Sequence, residues 1–480
     1  MQKIIRIVFR SASVLALIVF TIYMVRAFDS RHLPDLGPEY RINFDNEFQA
    51  RDESVTEWSD YLAIEVTLEQ ELDTKIDPDG RAGRLLDRYA TQSVTNPDRF
   101  DGNWNLSYEL KSASPQGVAV MLHGLSDSPY SMLHTAQAAV GAGYNVVVPR
   151  LPGHGFAVSG LLDAGWDDWA AVTRIAIRRA EELRQADQPL LLVGYSNGGL
   201  LALEYAMLCN DDEALPCPDN IVLLSPALAV SPVAIVANLH SAVSWLPYFE
   251  KFRWLSVLPE IDPFKYTSFP KRAAWEIRKA SKRVNQLLHN KQYVDRLPPI
   301  LTFQSVVDNT VSSGAVVSNL YERLPANGSE LVVYDVNRND TLVHLMRSIP
   351  GDPIEFFSDA APLNYSLTVL RNANANGLDI TIANMPAGSE AFAYRESRLD
   401  WPLGVYSLSH IAIPFPTIDP LYGDGSGNAA GDVGLVLGAI APRGELGVLS
   451  LSPAFFLRTR HNPFFGFQVS HTADWLQVTH

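Results

Sequence analysis

The run Gly194-Tyr195-Ser196-Asn197-Gly198-Gly199 constrains this chain more than any other part of it. It follows the apolar stretch Leu190-Leu191-Leu192-Val193 directly and leads into a segment of helical periodicity, Gly198–Leu208. A G-x-S-x-G sequence between a strand and a helix makes a turn too tight for side chains two residues either side of the serine, which is why both positions are glycine. The turn lifts the Ser196 hydroxyl above the end of the strand and aims the positive end of the following helix at the group that the hydroxyl attacks. Outside such a context the pattern is commonplace; within it, Ser196 reads as a nucleophile.

The segments around it carry the same alternation. Apolar runs at Leu106–Leu110, Val118–Leu122, Asn145–Val148, Leu190–Val193, Ile221–Leu224, Pro299–Phe303 and Leu331–Val336 read as strands, with helical periodicity between them at Ser131–Val140, Trp166–Gln185 and Gly198–Leu208. Near-continuous Val and Leu runs suit parallel strands covered on both faces, so the expected class is α/β with a doubly wound, mostly parallel sheet. With 47% of 480 residues hydrophobic and 19% charged, the chain has enough apolar side chains for a sizeable core. Its 38 basic residues against 53 acidic ones give a net charge of −15, which argues against nucleic acid as a partner. Two cysteines exclude a disulfide-built scaffold and a four-thiolate metal site. Cys209 and Cys217 lie in one polar loop and read as a small disulfide loop in an exported domain, or as two free thiols.

The first residues speak of location. Lys3, Arg6 and Arg10 precede the apolar run Ser11–Val25, and Arg26 closes it. This order is that of an export signal or a membrane anchor, and the lack of a clean A-x-A cleavage site favours an uncleaved anchor over residues 1–27. Basic residues before the run place the remaining chain on the extracytoplasmic, in a bacterium periplasmic, side. Residues 28–60, polar and broken by Pro34 and Pro38, read as a linker, and 61–225 as the first part of the core. Residues 226–298 are too long for a simple connection and hold aromatic and basic helical sequence, the usual form of a cap. Residues 299–423 read as the second part of the core and 424–480 as a C-terminal extension. From about Asn364 the texture is β-rich. Asp424–Asp432 alternates carboxylates and amides as a calcium loop does, but lacks the central glycine and the closing glutamate.

Attack on a carbonyl needs donors for the oxyanion. His123-Gly124 follows the strand VAVML and turns the N–H of Leu125 toward the site; the N–H of Asn197 would be the second donor. His154, in Arg150-Leu-Pro-Gly-His154-Gly155, precedes the nucleophile and reads as structural or as a neighbour of the site. Asp308 follows the strand Ile300–Phe303 and is the expected acid, whereas Asp335 lies inside a strand and Asp340 in a polar turn. The base should come last, which leaves His344, His410, His461, His471 and His480. His344 arrives on time by strand counting but sits among apolar residues at helical spacing. His410 ends the run VYSLSH and opens the proline-laced loop IAIPFPTIDPLYG, and is preferred.

HGLSDSPYSM, RLPGHG, GYSNGG and SLSHIAIPFP…DPLYG resemble the α/β-hydrolase superfamily, and within it the monoglyceride-lipase and lysophospholipase-like branch in a membrane-anchored bacterial form with a longer C-terminus. The resemblance spans about Gly117 to Gly423. It implies Ser196, Asp308 and His410 as the working trio. It departs from that branch in the long stretch between Leu331 and His410, where the base would normally follow quickly. The expectation is a hydrolase needing no cofactor or metal that cleaves a hydrophobic, lipid-like ester. A peptidase or acyltransferase with the same trio, or a non-catalytic envelope binding protein on this fold, are the alternatives.

Overall fold

Strands that bury every residue must alternate their side chains between two covered faces, and this alternation organises the molecule. The computed structural model describes residues 2–77, 79–81, 83–211, 215–229, 247–308, 310–340, 350–425 and 458–479. Its centre is a ten-stranded sheet of β1 (Tyr108–Leu110), β2 (Gly117–Leu122), β3 (Tyr144–Val148), β4 (Leu190–Tyr195), β5 (Asn220–Leu224), β6 (Ile300–Ser305), β7 (Glu330–Tyr334), β8 (Ser366–Asn372), β9 (Asp379–Met385) and β10 (Ala393–Asp400). The spatial order is β1-β3-β2-β4-β5-β6-β7-β8-β9-β10. From β3 across to β8 the strands run parallel; β1, β9 and β10 pair antiparallel with their neighbours. The α/β class with a mostly parallel sheet is therefore as expected.

Val118, Val120, Leu122, Leu190, Leu192, Ile221, Leu223 and Ile300 face one side, and Ala119, Met121, Leu191, Val193, Tyr195, Val222, Leu224 and Leu301 the other. The first face is covered by α4 (Trp166–Leu183) and α5 (Asn197–Leu208), with α6 (Lys271–Leu288) packed onto these two helices, and the second by α3 (Leu133–Gly141) and the closing helix α7 (Phe465–Thr479). Each fully buried Val or Leu contributes about 1.5–3 kcal/mol relative to exposure. Strand order reverses direction at β2, so the crevice for a ligand lies beyond the carboxyl ends of β2 and β4. Those ends carry His123 and Ser196.

Several expectations change. Residues 28–60, expected as a linker, are packed onto the domain: Leu36, Tyr40, Ile42, Phe48 and Trp58 are buried, and α2 (Trp58–Lys75) continues the cover with Tyr61 and Leu68. The prolines that suggested a linker break helices without preventing burial. Within 226–298, residues 230–246 lie outside the described residues, and α6 is part of the core rather than a cap, because Ala273, Ile277, Ala280, Val284 and Leu288 form one apolar stripe against the sheet's helical layer. The β-rich stretch after Asn364, read as packed onto the main domain, supplies β8, β9 and β10 to the main sheet itself. The closing segment is helical. Residues Gln2–Asp29 form one helix, α1, but among the described residues no helix is long and apolar enough to cross a membrane. Asp424–Asp432 lies outside the described residues from 426 on. Cys209 and Cys217 are bonded to each other.

Candidate active site

Ser196 stands in the turn between β4 and α5 with φ 53° and ψ −109°, a conformation that L-residues adopt only when their surroundings impose it. Those surroundings are backbone. The Ser196 N–H donates to the Leu224 carbonyl of β5 at 2.9 Å, and its carbonyl accepts from Gly199 at 3.1 Å and from Ala227 at 3.1 Å. A Cβ on Gly198 would collide with the Leu122 carbonyl at the end of β2, so that glycine lets α5 start directly beside the loop that follows β2.

That loop is held by a histidine of defined tautomer. His123 Nε2 accepts from the Leu151 N–H at 2.9 Å, so the proton is on Nδ1, which donates to the Gly124 carbonyl at 2.9 Å. The Asp127 N–H donates to the same carbonyl at 3.3 Å. In a trans peptide the N–H points opposite to the carbonyl. Holding Gly124 C=O on His123 therefore turns the Leu125 N–H away from His123, and it finds no acceptor among the described residues. Asn197 provides the first N–H of α5, which has no intrahelical acceptor. Burial pushes the His123 pKa well below its ordinary value, so the ring stays neutral and this tautomer persists.

Asp308 follows β6, and its carboxylate is fully buried. Oδ1 accepts from the N–H groups of Thr310 at 2.8 Å and Val311 at 3.1 Å, and Oδ2 lies 2.7 Å from His410 Nδ1. Burial pushes its pKa up, but the charge and hydrogen bond of His410 and the two backbone donors outweigh that and hold it below the usual carboxylate value. His410 is buried at the start of a short 3₁₀ turn. Its ring stacks on that of Tyr195, centroids 5.3 Å apart, and Tyr195 is the residue immediately before Ser196. The Tyr195 hydroxyl also reaches the His410 carbonyl at 3.4 Å. A Cβ on Gly124 would lie 3.0 Å from the Tyr195 ring. This one tyrosine thus touches both the loop carrying Leu125 and the imidazole, beside the serine.

Residues 119–373 match the sequence model of the alpha/beta hydrolase family, and this is more than half of the chain. The chain belongs to the alpha/beta hydrolase family. It is 28% identical over 205 residues to a thermostable monoacylglycerol lipase of Bacillus sp. (strain H-257), an overlap of 42% of this chain and 73% of that protein. Among solved structures it is similar to those of LipS and LipT, two metagenome-derived lipolytic enzymes, at 23% identity and TM-score 0.38, with 48% of this chain and 87% of the other covered. The monoacylglycerol lipase of Paleococcus ferrophilus matches at 20% identity and TM-score 0.36, with 48% and 88% covered.

The other described candidate histidines of this alpha/beta hydrolase sit elsewhere. His471, on α7, pairs with Glu330 at 2.9 Å, and His461 Nδ1 lies 3.3 Å from the Tyr422 carbonyl. His344 and His480 lie outside the described residues. His154 is fully buried, its Nδ1 3.1 Å from the carbonyls of Leu151 and Pro152, and its ring packs edge-on against His123. Burial lowers its pKa to about 3.

Sequence reasoning missed Glu47 and Glu65 in this hydrolase. Glu47 binds the fully buried Arg150 through both carboxylate oxygens at 2.9 Å and accepts from the Gly153 N–H, while Glu65 meets Arg150 Nε at 3.1 Å. Together they clamp the RLPGHG turn, whose Leu151 N–H fixes His123. No local motif surrounds Glu47, and only the unpaired charge of Arg150, next to a glycine-rich turn, signalled a missing acid.

Proposed function

We propose that this chain is a serine hydrolase of carboxylic esters that works through an acyl-enzyme on Ser196. The reading rests above all on the 2.7 Å contact between His410 Nδ1 and Asp308, with that imidazole stacked on the residue next to Ser196. With Nδ1–H donated to Asp308, Nε2 is left as the acceptor, the tautomer a general base requires. His410 Nε2 takes the Ser196 proton as Oγ attacks the ester carbonyl. The N–H groups of Leu125 and Asn197 receive the oxyanion, and His410 then protonates the departing alkoxide. Water, deprotonated by the same nitrogen, releases the acid. The substrate is proposed to be a hydrophobic, lipid-like ester, in keeping with the monoacylglycerol lipase named among the relatives.

We further propose that α1 holds the domain at a membrane on its extracytoplasmic side. Basic residues precede its apolar run, Val14, Leu15, Leu17, Ile18 and Phe20 are exposed on it, and the Cys209–Cys217 disulfide suits an oxidising compartment.

A fluorophosphonate probe tests the chemistry: the chain should be labelled and Ser196→Ala should not, with p-nitrophenyl ester turnover lost in parallel. Undiminished labelling of Ser196→Ala refutes the nucleophile. Removing residues 1–29 should move the protein from the membrane fraction to the soluble one; an unchanged distribution refutes the anchor.

A further inference from the structure

The DPLYG end of the loop that carries His410 takes no part in the mechanism above, yet its aspartate is wholly buried. Asp419 Oδ1 accepts from the N–H groups of Leu421 at 2.8 Å and Tyr422 at 2.6 Å, closing a turn of the base loop. Its Oδ2 leaves the loop. It accepts from the Tyr130 hydroxyl at 3.0 Å and meets His134 Nε2 at 2.7 Å. Tyr130 and His134 belong to the segment that begins with the donor loop His123-Gly124-Leu125 and runs into α3.

A second carboxylate repeats the pattern. Asp262 Oδ1 accepts from the N–H groups of Phe264 and Lys265, and its Oδ2 accepts from the Tyr422 hydroxyl at 2.6 Å. Lys265 in turn pairs with Asp127 at 2.6 Å, and the Tyr266 N–H donates to the Ser126 carbonyl at 2.8 Å. Three loops are thus closed into a ring: the base loop, the donor loop and the loop before α6. Tyr130 stacks on Phe264 at 4.3 Å, which fills the ring's middle.

We propose that Asp419 is a positioning residue that holds His410 and the Leu125 N–H in one frame, by bonding the base loop to Tyr130 and His134 of the donor segment. The inference rests on the serine-hydrolase reading. A charge with four hydrogen-bonding partners and no exposure costs a great deal to place unless all four are kept, so the two loops move together or not at all. Local capping of the Leu421–Tyr422 turn needs only Oδ1; the bonds from Oδ2 run only between loops.

The test counts active sites by fluorophosphonate labelling and measures kcat and KM on a p-nitrophenyl ester for wild type, Asp419→Ala, Asp419→Asn and Tyr130→Phe. Asp419→Ala should lower kcat per labelled site about 10- to 100-fold, the size expected of a misplacement of about 1 Å, with KM little changed. Asp419→Asn keeps an oxygen for the turn and an N–H₂ for Tyr130 Oη, and should recover part of the loss. Tyr130→Phe, which keeps the stacked ring and removes one bond between the loops, should lower kcat about tenfold, and decides the matter alone if Asp419→Ala does not fold. Variants with wild-type kcat per labelled site, whatever their melting temperature, overturn the inference. A wild type that is not labelled at Ser196 overturns the serine-hydrolase reading first and this inference with it.

Discussion

His123 and His154 should make the fold lose stability on mild acidification, in a pH window where no carboxylate imitates them. Both rings are buried and neutral. His123 has no lone pair to spare, because Nε2 already accepts from Leu151, and His154 Nε2 is buried with no partner among the described residues, so a proton placed there would be a buried charge without a counterion among them. The folded-state pKa of His154 is about 3, whereas an unfolded histidine titrates near 6.5. A depressed pKa means that the unfolded chain binds the proton first. The stability is complete above about pH 6.5 and drains away from there down toward pH 3. For His154, between pH 7.5 and 5.5 the loss is RT ln(11/1.1), about 1.4 kcal/mol; His123 adds a loss of the same sign. Glu65, Glu204, Glu260 and Asp262 have pKa values raised by burial and oppose this trend, so the measurement is a difference. Urea midpoints of wild type and His154→Phe at pH 7.5 and 5.5, followed by tryptophan fluorescence at constant ionic strength, cancel what titrates in both. Wild type should lose about 1.4 kcal/mol more than the variant over that interval. Equal pH dependence in the two proteins refutes the buried neutral ring.

Two further outcomes follow from the same geometry. Asp308→Asn should fold, because the amide oxygen still accepts from Thr310 and Val311, but should lower kcat about 10³- to 10⁴-fold by favouring the wrong imidazole tautomer; steady-state kinetics with KM little changed are expected, and a loss below tenfold refutes the role. Glu47→Ala removes both bonds to a buried guanidinium and should cost about 3–5 kcal/mol in urea unfolding; a cost below about 1 kcal/mol shows that the Arg150 clamp does not hold the RLPGHG turn.

The parts of the site that depend on local backbone were legible from residue order alone. A serine flanked by glycines between Leu190–Val193 and a helix can form little other than the turn observed, and strand periodicity placed the ends of β2 to β7 within two residues. What could not be read is what closes over distance. Glu47 reaches Arg150 across 103 positions, Asp419 reaches His134 across 285, and neither contact leaves a trace in spacing. Composition misled in the same way at 28–60, where prolines and charges suggested a free linker although Leu36, Tyr40, Ile42, Phe48 and Trp58 are buried. The amphipathic pattern of α6 was visible, but the partner of its apolar face was not, and only that partner distinguishes a core helix from a cap.

The late position of His410, the proposed base, has a physical explanation in where the chain departs and returns. After β7 the backbone reaches Asn337, whose N–H donates to the Tyr406 carbonyl at 2.7 Å and whose side-chain amide donates to the Val405 carbonyl at 2.9 Å. Residues on either side of 338–404 are thus hydrogen-bonded neighbours, and the excursion between them, which supplies β8, β9 and β10, begins and ends at one place. Ser305 Oγ, at the end of β6, then donates to the Leu408 carbonyl at 3.1 Å, fixing the run into His410 beside the strand that carries Asp308. A base placed by sheet position rather than by chain distance tolerates any insertion whose two ends meet. Counting residues from the last core strand favoured His344, whereas the pairing of Val405 and Tyr406 with Asn337 leads to His410. β8, β9 and β10 lie together at the edge of the sheet away from β2 and β4, so the three strands lengthen the sheet at the end remote from the Ser196 turn.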